Sequence, residues 1–156
     1  MKALKKIFYV LKIVMVVLII IFIICFGSIV YQKKVMNVSM PNLFGYIGGT
    51  IVSGSMEPNI HVGDYVIVDL NGEYYKGDVV MFKRGNVYIA HRVMDIYDDY
   101  IITKGDSNET VDVEIPKDSV AGPVVRVIRG FGSFTILLSK YKFLVLIIVI
   151  LFIILL

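Results

Sequence analysis

Ser53-Gly54-Ser55-Met56-Glu57-Pro58 places two hydroxyls beside a glycine, at the end of the β-branched run Thr50-Ile51-Val52. Proline stops a helix from continuing there, so the six residues predict a tight corner with an accessible hydroxyl. A serine hydroxyl is a weak nucleophile until an adjacent base takes its proton. Without such a base the stretch is only a polar turn. The chain offers two histidines, His61 and His91, and an imidazole can accept a proton near neutral pH. A third stretch, Lys104-Gly105-Asp106-Ser107-Asn108-Glu109-Thr110-Val111-Asp112, delivers two aspartates six residues apart after a glycine turn. One carboxylate on the far side of an imidazole would fix its tautomer and stabilise the imidazolium formed in catalysis. The same residue types also cap turns by bonding to their own backbone. Acyl transfer at a serine is the chemistry these three stretches can do together.

Such residues must be held by elements distant in sequence. From Thr50 onward the pattern is of short β-rich runs: Thr50–Val52, Tyr65–Asp69, Val79–Lys83, Val87–Ile96, Tyr100–Thr103 and Val124–Ile128. Turn signals at Gly63-Asp64, Asn71-Gly72, Gly77-Asp78, Gly85-Asn86, Asp98-Asp99 and Gly105-Asp106 separate them, which predicts an all-β domain without a helix of useful length. Arg84-Gly85-Asn86 between two runs signals a hairpin. Period-2 alternation puts Val87, Ile89, His91 and Val93 on one face of their strand. His61, in Asn59-Ile60-His61-Val62-Gly63, reads as a surface loop residue.

The two ends have a different composition. Of the 156 residues, 57% are hydrophobic, too many for an ordinary soluble domain. Ile13–Val30 is an uncharged run of eighteen residues, about 27 Å as helix and enough to cross a bilayer core. Phe143–Leu156 is a second apolar run of fourteen residues, about 21 Å as helix, which Tyr141 and the flanking lysines could extend. All 13 acidic residues lie between Glu57 and Asp118, and the region Val35–Thr135 holds eight Lys and Arg, leaving it net −5. The other eight basic residues border the apolar ends. The overall +3 therefore carries no signal for nucleic acid; it describes an acidic domain tethered by lysine-flanked membrane segments. The first run is too long for the core of a cleavable leader, and Tyr31-Gln32-Lys33-Lys34 stands where small residues would be cut. The expected division is a basic cytoplasmic N-terminus with a transmembrane anchor over residues 1–34 and a juxtamembrane connector over 35–49. A β-rich catalytic domain over 50–135 and a C-terminal transmembrane segment over 136–156 complete it. Cys25 is the only cysteine, so neither a disulfide within the chain nor a cysteine–histidine metal site is expected.

The ordered set resembles the type I signal peptidases, in the histidine-using branch of archaea, the endoplasmic reticulum and some Gram-positive bacteria. Ser53–Pro58 matches the S-G-S-M-x-P box, and Gly63-Asp64 matches the glycine-aspartate that follows it. Gly77-Asp78-Val79-Val80-Met81-Phe82 resembles the G-D-[IV]-V-x-F strand, and His91-Arg92-Val93 stands where the bacterial housekeeping branch has lysine-arginine. Lys104–Asn108 followed by Asp112 resembles the K-G-D-N-N stretch and its downstream aspartate, with Ser107 in place of the first asparagine. The resemblance covers about residues 45 to 130.

It implies a mainly β fold, a compact signal-peptidase-like catalytic domain flanked by N- and C-terminal transmembrane helices. Ser55 would be the acylating nucleophile and His91 its general base. Asp112 would orient His91, while Asp106 would support the site or share that role. Ser53 would donate to the oxyanion, with the backbone N–H of Ser55 as second donor. No cofactor and no metal are implied. The expected partners are signal-peptide-bearing preproteins, the lipid bilayer, and accessory membrane subunits or a secretion translocon, at the cell membrane with the catalytic domain on the extracytoplasmic side. Two other readings compete: a non-catalytic membrane-anchored β-domain assembly factor, and a self-cleaving repressor-type serine protease. The latter shares the related fold but uses a lysine base where this chain has Ala90-His91, and no DNA-binding segment is read before the domain.

Overall fold

The computed structural model describes residues 2–141, which divide into two units, one ending at Phe44 and one beginning at Gly45. The first unit is dominated by helix α1, Lys2–Lys34. Its Tyr9–Lys34 portion is long and apolar enough to cross a membrane. From Tyr9 to Ile24 every side chain is exposed, and a helix apolar on all sides has no face to turn toward water. After α1 the chain is held by Gln32, whose side chain donates to the Asn42 carbonyl at 2.8 Å and accepts the Asn42 N–H at 2.9 Å.

The second unit is built on one antiparallel sheet. Its strands are β1 (Tyr46–Thr50), β2 (Tyr65–Asp69), β3 (Val79–Arg84), β4 (Val87–Ile96), β5 (Tyr100–Lys104), β6 (Ile115–Pro116) and β7 (Val120–Ile128). They lie in the order β1-β2-β7-β3-β4-β5-β6. Alternation explains β2, where Val66 and Val68 are fully buried between half-exposed neighbours. Val80, Phe82, Val93, Ile101 and Ile115 form the core under β3, β4, β5 and β6, with Tyr74, Ile89 and Val120 packed against it. Register shifts at Ile67/Val68, Met81/Phe82 and Val93/Asp95 add the local bend and twist that such irregularities produce.

Several expectations are corrected here. The first strand is Tyr46–Thr50, not Thr50–Val52, so residues read as connector belong to the sheet. Gly48 and Gly49 look like breakers, yet a side chain at Gly48 would overlap the Tyr65 ring, with its Cβ 2.6 Å from Tyr65 Cζ. Glycine serves there for close approach rather than for a turn. The last long strand begins at Val120, and the two-residue β6 was not expected.

A ten-residue helix, α2 (Phe131–Lys140), also replaces the expected absence of helix. Gly132 lets it settle on the sheet, because a Cβ there would stand 2.6 Å from the Asp64 carbonyl oxygen. Thr135 Oγ1 meets Thr50 Oγ1 at 3.1 Å. The expected C-terminal transmembrane segment falls largely on residues 142–156, outside the described residues.

Candidate active site

The Ser53–Pro58 corner folds as a single 3₁₀ turn over Gly54–Met56, closed by the Glu57 N–H on the Gly54 carbonyl at 3.0 Å. Met56 and Ile60, 1% and 4% exposed, anchor it in the core. The chain returns beside its own entry: Ile51 N–H bonds the Asp64 carbonyl at 2.9 Å and Gly63 N–H the Ile51 carbonyl at 2.8 Å. Ser55 is left half-buried and Ser53 exposed, their Oγ atoms 3.4 Å apart.

His91 lies on β4 opposite Val80 of β3 and is 6% exposed. The ring of Phe82 stands edge-on to it at 6.1 Å. Nε2 is 3.2 Å from Ser55 Oγ, and Nδ1 is 2.6 Å from Asp112 Oδ2. A carboxylate can only accept here, so Nδ1–H donates the hydrogen bond to Asp112, and the Nε2 lone pair then faces the Ser55 hydroxyl. That is the arrangement in which an imidazole can take a hydroxyl proton.

Asp112 follows the turn after β5 and is tied back to it. Its N–H donates to the Thr103 carbonyl at 2.8 Å, and Thr103 Oγ1 donates to its Oδ2 at 2.6 Å. A guanidinium nitrogen of Arg84 lies 3.9 Å from Oδ1. Asp106 is placed elsewhere. Its carboxylate accepts Arg92 Nε at 2.8 Å, Arg92 Nη2 at 2.6 Å and Asn59 Nδ2 at 2.8 Å. The Arg92 guanidinium holds the Asp106 carboxyl below its ordinary pKa; burial opposes this and Asn59 assists it. Asp106 thus joins the corner to β4, while Asp112 alone meets His91. Ser107 reaches the corner too, donating Oγ–H to the Gly54 carbonyl at 2.9 Å and N–H to the Ser55 carbonyl at 3.0 Å. Gly105 must pass close by, since a Cβ there would stand 2.7 Å from the Ser55 carbonyl oxygen.

His61 is exposed and sits apart, its Nδ1 3.2 Å from Arg129 Nη1. Nearby Asp64 is 3% exposed. Burial pushes its pKa up, but the N–H groups of His61 and Gly130 and the Arg129 guanidinium outweigh that and hold it below the ordinary value. Among the described residues no group of three His, Cys, Asp or Glu side chains could hold a metal ion.

Sequence reasoning passed over Thr103, Asn59 and Arg84, and gave Ser107 only a role in its own turn. Thr103 left a signal, since it alternates with Ile101 and is fully buried beside it. A polar side chain on an apolar strand face needs a partner. Asn59 and Arg84 lie in exposed positions and left none.

Residues 32–125, which include Ser55, His91 and Asp112, match the Peptidase S24-like family. The chain is 38% identical over 81 residues to Signal peptidase I W of Bacillus subtilis (strain 168), covering 46% of this chain and 42% of that one. It is 33% identical over 108 residues to the signal peptidase complex catalytic subunit SEC11C of Canis lupus familiaris and of Homo sapiens, covering 58% of this chain and 56% of each. The chain spans about half the length of these curated relatives. The resemblance to type I signal peptidases of the endoplasmic-reticulum and Gram-positive type therefore holds.

Proposed function

Because this chain belongs to the Peptidase S24-like family, we propose that it is a membrane-bound serine endopeptidase that cleaves N-terminal signal peptides from exported preproteins through Ser55, His91 and Asp112. The observation that carries this reading is the unbroken chain of contacts from Ser55 Oγ through the His91 ring to Asp112 Oδ2. In it, Ser55 Oγ attacks the scissile carbonyl as its proton passes to His91 Nε2. The carboxylate of Asp112 stabilises the resulting imidazolium. Negative charge on the carbonyl oxygen is met by the Ser53 hydroxyl and the Ser55 N–H, and one such donor is worth roughly 3–4 kcal/mol. The imidazolium then gives its proton to the departing amine, which becomes the mature N-terminus. Water repeats the sequence on the acyl-serine and releases the signal peptide with a free carboxylate.

The substrate is an extended segment with small side chains before the cut, added as a strand to the sheet with two shallow pockets. Helix α1 supplies the anchor in the cell membrane, with a second apolar segment at the C-terminal end and the acidic domain on the extracytoplasmic side. Accessory membrane subunits or a translocon would present the preproteins; one relative is named as the catalytic subunit of a complex. A lysine-based self-cleaving protease accounts less well for an imidazole nitrogen 3.2 Å from the serine, and a non-catalytic assembly factor has no need of the Asp112 contact.

The test is to incubate the detergent-solubilised protein with a labelled preprotein. Wild type and His61→Ala should release the mature product, while Ser55→Ala and His91→Ala should not. Normal cleavage by Ser55→Ala would remove the serine mechanism.

A further inference from the structure

The site has a weak point in its backbone. A backbone N–H stabilises an oxyanion only if its peptide plane keeps a constant bearing, because the donor is useful within a narrow range of angles. The Ser55 N–H belongs to the peptide that joins it to Gly54, the residue with the most conformational freedom in the corner. Close packing at Gly54 does not fix that plane: apart from its chain neighbours, the nearest atom to a Cβ built there is Glu57 Cδ at 3.5 Å, near the tip of a flexible side chain. Hydrogen bonds must hold it instead.

The Gly54 carbonyl accepts two of them, from Glu57 N–H at 3.0 Å and Ser107 Oγ–H at 2.9 Å. The Glu57 bond lies inside the 3₁₀ turn and moves with it. Ser107 comes from 53 residues away, on a loop fixed to the sheet. Its neighbour Asp106 is clamped on Arg92 and Asn59, and Asn108 N–H closes on the Gly105 carbonyl at 3.0 Å. Ser107 N–H also donates to the Ser55 carbonyl at 3.0 Å, so one residue grips the peptides on both sides of the Ser55 Cα. In a planar trans peptide the N–H points opposite to the C=O. Fixing the Gly54 carbonyl therefore fixes the direction of the Ser55 N–H, and accepting a bond at the oxygen also polarises that N–H.

Resting on the proposed peptidase reading, we infer that Ser107 is a positioning residue for the oxyanion: its hydroxyl, through the Gly54–Ser55 peptide, aims the backbone N–H that stabilises the tetrahedral intermediate. It never touches substrate. Where the sequence shows only Ser107 in place of an asparagine, the structure gives its hydroxyl a long-range partner beside Ser55.

The experiment compares wild type, Ser107→Ala and Ser107→Thr in preprotein cleavage, with a substrate-like peptide aldehyde as second probe, since its adduct on Ser55 places an oxyanion in the same position. Ser107→Ala should lower kcat about tenfold with KM unchanged, less than loss of a direct donor. The aldehyde should weaken by the same factor. Thermal melting should hardly move, because Ser107 is an exposed residue whose lost partner is left open to water, and Ser107→Thr should restore the rate. A kcat for Ser107→Ala within twofold of wild type would overturn the inference. So would a loss that appears in KM alone, or one that threonine does not restore. Wild type failing to cleave any preprotein would refute the peptidase reading itself, and this inference with it; active wild type with unaltered Ser107→Ala refutes only the inference.

Discussion

Asp112→Asn isolates the charge of the proposed triad from its shape. Asparagine is nearly isosteric, and its amide oxygen can still accept from His91 Nδ1 and Thr103 Oγ1, which both approach Oδ2 at 2.6 Å. What disappears is the negative charge opposite a ring that becomes cationic during the reaction. Unit charges about 4 Å apart at an effective dielectric of about 20 attract by about 4 kcal/mol, or about three decades of rate. Two features reduce this: the Asp112 side chain is 12% exposed, and Arg84 stands 3.9 Å from Oδ1. The asparagine NH₂ group would also face that guanidinium. The expected loss in kcat is about 100- to 1,000-fold, with a stability change of about 1 kcal/mol. Single-turnover cleavage of a labelled preprotein, read beside thermal melting of the same samples, measures both. A folded Asp112→Asn protein within tenfold of wild type would refute the argument that this carboxylate stabilises an imidazolium.

Acid should unfold the domain through Asp64 and Asp106. Both carboxyls are held below their ordinary value near 3.8 in the folded state, so the stability they contribute is present above that value and is lost as pH falls through it and below. Asp64→Asn should therefore melt lower than wild type at pH 7 and show a flatter decline between about pH 5 and 2; identical acid limbs would exclude this role. Gly105→Ala should cost about 1–3 kcal/mol in chemical denaturation and slow cleavage, because the new methyl group must displace the Ser55 carbonyl; a variant as stable and active as wild type would show that the loop yields freely. Protease added to cells stripped of their wall should digest the acidic domain while the membrane is intact, and digestion only after lysis would invert the proposed orientation.

Ser55, His91 and Asp112, singled out by residue type in the sequence, lie together in the structure, and the strands that alternate cleanly were legible too. The expected Tyr65–Asp69 and Val87–Ile96 coincide with β2 and β4, because a half-buried strand writes its period of two directly into residue types. His61 between breakers is exposed as expected. Short or glycine-bearing elements were not legible. Strand β1 contains Gly48-Gly49, and the use of Gly48 depends on Tyr65 lying across it. Helix α2 has only ten residues and draws its stability from packing rather than from its own turns.

Which of the two aspartates touches His91 is shown only by tertiary structure. Asp106 lies in the turn after β5 and Asp112 just beyond it, and both are acidic residues of one loop with no local feature that says which will meet a histidine. The antiparallel register decides between them. Pairing Arg92 with Lys104 and Val93 with Thr103 brings the next turn alongside Arg92, where Asp106 is captured by the guanidinium. The returning chain is then tied to Thr103, and Asp112 arrives at His91. Residue types and their order along one strand are properties of the chain itself. Which distant groups meet depends on register and close approach between strands, summed over contacts that no short stretch of sequence contains.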